Sequence, residues 1–120
     1  MKIREIAFVG YPITDVPRAR HFYEKVLGLK PSVEHISPHG CWIEYDIGTG
    51  TLAISNMWPP SGQSGPNMAF EVEDFDEAMT TLKAHQTPQG FGPMETGICR
   101  FAVFLDPDGN SFTIHQRKST

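Results

Sequence analysis

The sequence predicts an α+β fold of two tandem βαβββ modules, whose strands form a curved, cleft-bearing mixed sheet with the helices outside. Three observations carry this expectation. Hydrophobic periodicity gives the order strand, helix, strand, strand, strand, and the same order restarts after a Pro/Gly/Ser-rich connection. The two halves also share local sequence: "EIAF" (Glu5–Phe8) matches "NMAF" (Asn67–Phe70), and "YDIGTGTLAIS" (Tyr45–Ser55) matches "LDPDGNSFTIH" (Leu105–His115) without a gap. A repeated unit constrains architecture more than any single element does. The expected organisation is one domain over residues 1–120, with a module at 1–56, a linker at 57–66 and a second module at 67–117.

Each element has its own local signal. "IREIAFV" (Ile3–Val9) reads as the first strand. Asp15 can cap a helix that carries Pro17 in its first turn, where a missing N–H costs little. Ala19, Phe22, Tyr23, Val26 and Leu27 follow at helical spacing, and Gly28 stands where a left-handed residue ends a helix. Strands are expected near Ser32–Ile36, Cys41–Ile47 and Thr51–Asn56. After "WPPSGQSGP" (Trp58–Pro66), "NMAFEVE" opens the second module. "DFDE" (Asp74–Glu77) is a helix start with an acidic variant of the capping box, and Phe75, Ala78, Met79 and Leu82 form its apolar stripe. A weak strand follows near Thr87–Met94, then clear ones at Ile98–Leu105 and Ser111–Arg117.

Bulk properties exclude several functions. The chain has 120 residues, 39% hydrophobic and 20% charged, as in a soluble globular domain. A formal net charge of −4 gives no basic footprint for nucleic acid. No apolar run is long enough to span a bilayer, and "MKIREIAFVG" lacks a signal peptide's apolar core. Cys41 and Cys99, with no CxxC, point to a reducing cytoplasm.

Strand alternation sorts candidate ligand residues. Pairing across the hairpins is expected to put Glu44 opposite Ala53, Trp42 opposite Ser55, Phe104 opposite Thr113 and Ala102 opposite His115. These eight residues form a mixed face with aromatic walls, suited to a ligand cavity. Ile43, Tyr45, Leu52, Ile54, Phe101, Val103, Leu105, Phe112 and Ile114 form the apolar face expected under the helices. Cys41 and Cys99 share that second parity and read as buried small hydrophobes. Glu44 lies beside Trp42, where desolvation favours a neutral acid and suits it to acid–base chemistry with His115 as partner. Arg100 shares the cavity parity and is the alternative partner of Glu44. Trp42, Trp58 and Phe104 suit stacking on a flat ligand.

The doubled unit, "DVPRARHFYEKVLGL" (Asp15–Leu29), "MAFEVEDFDEA" (Met68–Ala78) and "DPDGNSFTI" (Asp106–Ile114) together resemble the vicinal oxygen chelate superfamily. That group includes glyoxalase I, extradiol dioxygenases, fosfomycin-resistance transferases and bleomycin-binding proteins. The resemblance covers nearly the whole chain. It implies that metal ligands, His or Glu in the metal-dependent members, come from the first and last strand of each half. Carried over, the first-strand positions fall on Glu5 and Asn67, and the last-strand positions on Ala53 and Thr113. Counting back from Phe22 instead puts Phe8 in the place of Glu5. Either way at most one good ligand remains, so no metal cofactor is expected. An unconventional set of Glu5, Glu44 and His115 is the alternative.

Three readings follow. The first is a metal-free, cytoplasmic small-molecule-binding protein of the bleomycin-resistance type. Its planar ligand would be held by Glu5, Trp42, Ser55, Trp58, Asn67, Arg100, Phe104 and Thr113. The second is a cofactor-independent lyase or isomerase working through Glu44 and His115. The third is a lyase or dioxygenase with atypical metal ligands. A homodimer is expected in each case, because open sheet edges need cover and twofold pairing is the commonest assembly.

Overall fold

A computed structural model gives the fold, and it describes Lys2, residues 5–62 and residues 65–118. The chain divides between Pro60 and Ser61 into two compact units. In the first unit, β1 (Val9–Pro12) leads to α1 (Val16–Arg20), which continues as a π-helical turn over His21–Val26. β2 (Pro31–Ser37), β3 (Gly40–Ile47) and β4 (Gly50–Ser55) complete it. The second unit holds β5 (Met68–Glu71), α2 (Phe75–Ala84), β6 (Gln89–Glu95), β7 (Cys99–Leu105) and β8 (Ser111–Arg117). The two four-stranded sheets have equivalent orders, β1-β4-β3-β2 and β5-β8-β7-β6. In each, the first strand runs parallel to the last and the others are antiparallel. Two tandem βαβββ modules are therefore present.

The helix caps form as their sequences require. Asp15 accepts a hydrogen bond from Arg18 N at 2.9 Å, and Asp74 from Glu77 N at 3.0 Å. Each satisfies an N–H left orphaned at a helix start. At the other end of the first helix, Leu27 N reaches back five residues to Phe22 O, and Gly28 takes φ +74°.

Packing in the first unit follows the expected parity. Ile43, Tyr45, Leu52 and Ile54 are all fully buried, and Tyr23 stacks on Tyr45 at 6.2 Å, so this face lies under the helix. The Tyr45 hydroxyl donates to Glu24 Oε2 at 2.9 Å, and Arg20 bridges Glu24 and Glu34 at 2.7 and 2.6 Å. Burial, together with the Glu24 carboxylate, pushes the Tyr45 hydroxyl well above its ordinary value.

Two sequence expectations are overturned. The first strand is not Ile3–Val9. Ile3 and Arg4 lie outside the described residues, Glu5–Phe8 precede the strand, and β1 runs from Val9 to Pro12. The last hairpin is also shifted by one residue: Val103 faces Thr113, Phe104 faces Phe112, Ala102 faces Ile114 and Phe101 faces His115. Ala102 and Phe104 thus join the buried helix-facing set, while Phe101, Val103 and Leu105 stand half-buried on the other face.

The cause is the turn. Asp106 Oδ1 accepts from Asp108 N and Asn110 N at 2.9 and 2.8 Å, and Asp106 N donates to Asn110 O at 2.9 Å. Gly109, at φ +81°, completes a three-residue loop. The first module closes its hairpin in two residues, with Ile47 paired to Gly50 and Gly48 at φ +58°. Because side chains alternate along a strand, one extra loop residue turns β7 over. Cys41 and Cys99 are both buried free thiols, although Cys99 follows the non-helix parity of β7. Among the described residues no helix is long and apolar enough to cross a membrane.

Candidate functional site

In the first module the face away from α1 gathers aromatic side chains around β3. Phe8 meets the Trp42 ring edge-on at 5.1 Å, and Trp58 lies tilted against Trp42 at 6.2 Å. Trp42 is half-buried, whereas Trp58 and Phe8 are 38% and 48% exposed, so the cluster presents ring surface outward. Gly10 makes the approach possible, because a Cβ there would stand 3.2 Å from the Trp58 ring. The Trp42 indole N–H donates to Glu44 Oε2 at 2.7 Å. Glu44 therefore fixes the Trp42 rotamer. A shallow depression of about 280 Å³ borders Trp42, between His35, Ile36, Cys41 and Met57. Another, of about 400 Å³, borders Trp58 and is lined by Ile13, Thr14, Asn56 and Pro60.

In the second module the face away from α2 is more polar. Thr113 Oγ1 donates to Asn67 Oδ1 at 2.6 Å, and Asn67 Nδ2 donates to Ser111 Oγ at 3.0 Å. His115 Nδ1 lies 2.6 Å from Glu71 Oε1, while Glu71 Oε2 accepts from Arg117 N at 2.8 Å. The Arg117 amide, then the His115 imidazole, hold the Glu71 carboxyl below its usual range. Phe101 lies directly across from His115 and stacks on Phe91 at 6.1 Å.

Several candidate site residues have other roles. Phe104 is fully buried on the helix-facing side and lines no ligand surface. Arg100 is on that side too: it pairs with Asp76 at 3.0 Å and lies over the Phe75 ring at 4.5 Å, so Glu44 does not have it as partner. Ser55 is fully buried, donates to Cys41 O at 2.7 Å and accepts from Met57 N, so it ties the sheet to the following turn. His115 has Glu71 as its carboxylate. Glu5 is exposed ahead of β1. Gly10 and Glu71 were not among the residues singled out from the sequence, whereas Phe8 stood there as the alternative to Glu5. Cap spacing favours Phe8 over Glu5, because Phe8 stands seven residues before Asp15 as Asn67 stands seven before Asp74.

Pairing settles the first-strand register. Gly10 sits opposite Ala53 as Ala69 sits opposite Thr113, which makes Phe8 and not Glu5 the equivalent of Asn67. The positions that the resemblance marks for metal ligands are thus Phe8, Ala53, Asn67 and Thr113. The first two have no donor atom, and the last two are neutral groups bonded to each other. This set does not fit a divalent ion, which needs carboxylate or imidazole to replace its water. Among the described residues no three His, Cys, Asp or Glu side chains are grouped to hold a metal.

Residues 5–114 match the family model of the Glyoxalase/Bleomycin resistance protein/Dioxygenase superfamily. The chain belongs to this superfamily. Among its curated relatives is a lactoylglutathione lyase of Neisseria meningitidis serogroup A, 27% identical over 119 residues, which span 89% of this chain and 86% of the relative. A crystal structure of TnmS3, an antibiotic binding protein from Streptomyces sp. CB03234, superposes with a TM-score of 0.82 at 24% identity, covering 98% of this chain and 99% of that one. A glyoxalase/bleomycin resistance protein from the same Streptomyces strain gives a TM-score of 0.76 at 25% identity, covering 93% of this chain and 100% of that one. The superfamily fold is therefore present over almost the whole chain.

Proposed function

We propose that this superfamily member is a cytoplasmic, homodimeric small-molecule-binding protein that works without a metal and holds a planar aromatic ligand on the tryptophan face of its first module. One observation carries the reading: Trp42, Trp58 and Phe8 gather over Gly10, with the Trp42 indole locked by Glu44. Pre-ordered rings lose little conformational freedom on binding, so the contact with a flat ligand is retained as affinity. The structural neighbour TnmS3 is an antibiotic binding protein, which supports a small-molecule ligand. Buried thiols at Cys41 and Cys99 suit a reducing compartment.

Titration of tryptophan fluorescence with a panel of planar antibiotics tests the proposal. Trp42→Ala is expected to weaken the best binder by about thirtyfold or more, corresponding to about 2 kcal/mol for a truncated aromatic anchor. Glu44→Gln keeps shape and an acceptor, and its effect is expected to be much smaller. An affinity that drops in Glu44→Gln but survives Trp42→Ala removes the stacking reading.

The match to lactoylglutathione lyases over most of both chains favours a second reading, a lyase in which Glu44 moves a proton. Assay for lactoylglutathione formation, with nickel and zinc supplied separately, distinguishes the two. Turnover that Glu44→Gln cuts by roughly 10²–10⁴-fold without loss of binding selects the lyase.

A further inference from the structure

On the second module, the structure points to a separate recognition site: we infer that Glu71 and His115 form an oriented carboxylate–imidazole pair that takes the proton of an acidic hydroxyl, a phenol or enol, on a planar ligand lying against Phe101 and Phe91. This goes beyond the tryptophan face of the first module and uses none of its residues.

The argument starts from hydrogen-bond capacity. Glu71 accepts at both oxygens, from Arg117 N at 2.8 Å and at His115 Nδ1 at 2.6 Å. An ionised carboxylate has no proton to give, so the proton of that second bond belongs to Nδ1. In its neutral form the ring carries its lone pair on Nε2, and the Glu71 bond fixes both tautomer and ring orientation. Strand alternation decides where the ring sits. Ile114 is buried on the helix side, and Gln116 accepts from Phe75 N at the start of α2, so His115 is on the opposite face. Its side chain keeps 27% of its surface open.

The same face supplies an apolar support. Phe101 is the cross-strand neighbour of His115, and Phe91, half-exposed, stacks on it with the ring planes 28° apart. A nearly parallel pair of rings beside a fixed acceptor matches a flat molecule with a hydroxyl on its rim. Thr113 spends its hydroxyl proton on Asn67 Oδ1 at 2.6 Å, so the nitrogen acceptor on this face is the His115 ring.

The step balances without any co-reactant. The ligand O–H bond breaks, an Nε2–H bond forms, and the products are a ligand oxyanion and an imidazolium that Glu71 stabilises. A ligand lacking the hydroxyl proton offers Nε2 nothing to accept.

The probes are 4-nitrophenol and its methyl ether, 4-nitroanisole, titrated at neutral pH against the intact chain. Bound 4-nitrophenol is expected to show increased phenolate absorbance and to bind at least about tenfold tighter than the ether, as expected for a hydrogen bond involving a charged group. His115→Gln is expected to abolish both the absorbance increase and the preference, with unchanged circular dichroism. Glu71→Gln is expected to reduce the absorbance increase while binding of the ether persists. Equal affinity for the two probes in the unaltered protein overturns the inference, a result that needs no variant to fold. So does a preference that survives in His115→Gln.

Discussion

At the scale of single residues, small substitutions in the first module separate stability from binding. Gly10→Val places new atoms where a Cβ already stands 3.2 Å from the Trp58 ring. Trp58 is partly exposed and has room to swing outward. The expected outcome is a red-shifted tryptophan emission and weaker binding of planar ligands, with less loss of stability than a core truncation causes. Glu24 makes a different prediction, about pH. Partial burial raises its proton affinity, but hydrogen bonds from Arg20 and Tyr45 outweigh burial, and its net shift is below the ordinary 4.5. A carboxylate depressed in the folded state contributes stability that is fully present above its unfolded pKa. That contribution is lost as pH falls through the lower folded value. Urea midpoints measured from about pH 5 down to about pH 3 should therefore fall more steeply in the unaltered protein than in Glu24→Gln. Parallel curves would show that this network contributes nothing to acid stability.

At the scale of elements, the turns decide which side chains meet. The Asp106–Asn110 turn requires Gly109 at φ +81°, in the left-handed region. Gly109→Val is expected to cost about 1–2 kcal/mol, the penalty of a side chain there, whereas Gly109→Asn should cost clearly less because Asn tolerates that conformation. Denaturant midpoints of the two variants check this, and equal midpoints refute it. The same turn explains what the sequence conceals. Both helix caps, the strand order and the buried face of β3 and β4 were legible, because they depend on short-range signals: Asp15, Asp74, a two-residue turn at Gly48 and simple alternation. The ungapped match of the two hairpins concealed the extra loop residue, so Phe104 and Arg100 were assigned to the ligand face and are found on the helix side. Similarly, the match of "EIAF" to "NMAF" pointed to Glu5, while the cap spacing and strand pairing select Phe8. Alternation makes any error of one residue complete, which is why site residues were less legible than the fold. Glu71 escaped notice because its partner His115 lies 44 positions away, a separation that local patterns do not span.

At the scale of the whole molecule, the expected assembly rests on exposed strand edges and apolar surface. Among the described residues β2 and β6 each pair with one strand and so end their sheets. β6 is exposed along its length, with Phe91 and Met94 at 50% and 44% exposure. It is partly protected: its pairing is irregular between Phe91 and Met94, and Pro93 removes a donor. β2 is less protected. It pairs with β3 without interruption from Val33 to Ser37, and Ile36 is 62% exposed on it. A long edge with an outward apolar side chain invites a second strand or chain, and twofold self-pairing satisfies both copies at once. Light scattering after size exclusion at micromolar concentration is therefore expected to give about twice the chain mass of 13.4 kDa. Ile36→Glu puts a charge on the edge that β2 offers and should shift the population toward the single-chain mass, with circular dichroism unchanged. A single-chain mass for the unaltered protein would remove the homodimer. A dimer indifferent to Ile36→Glu would keep the assembly and exclude β2 as its seam.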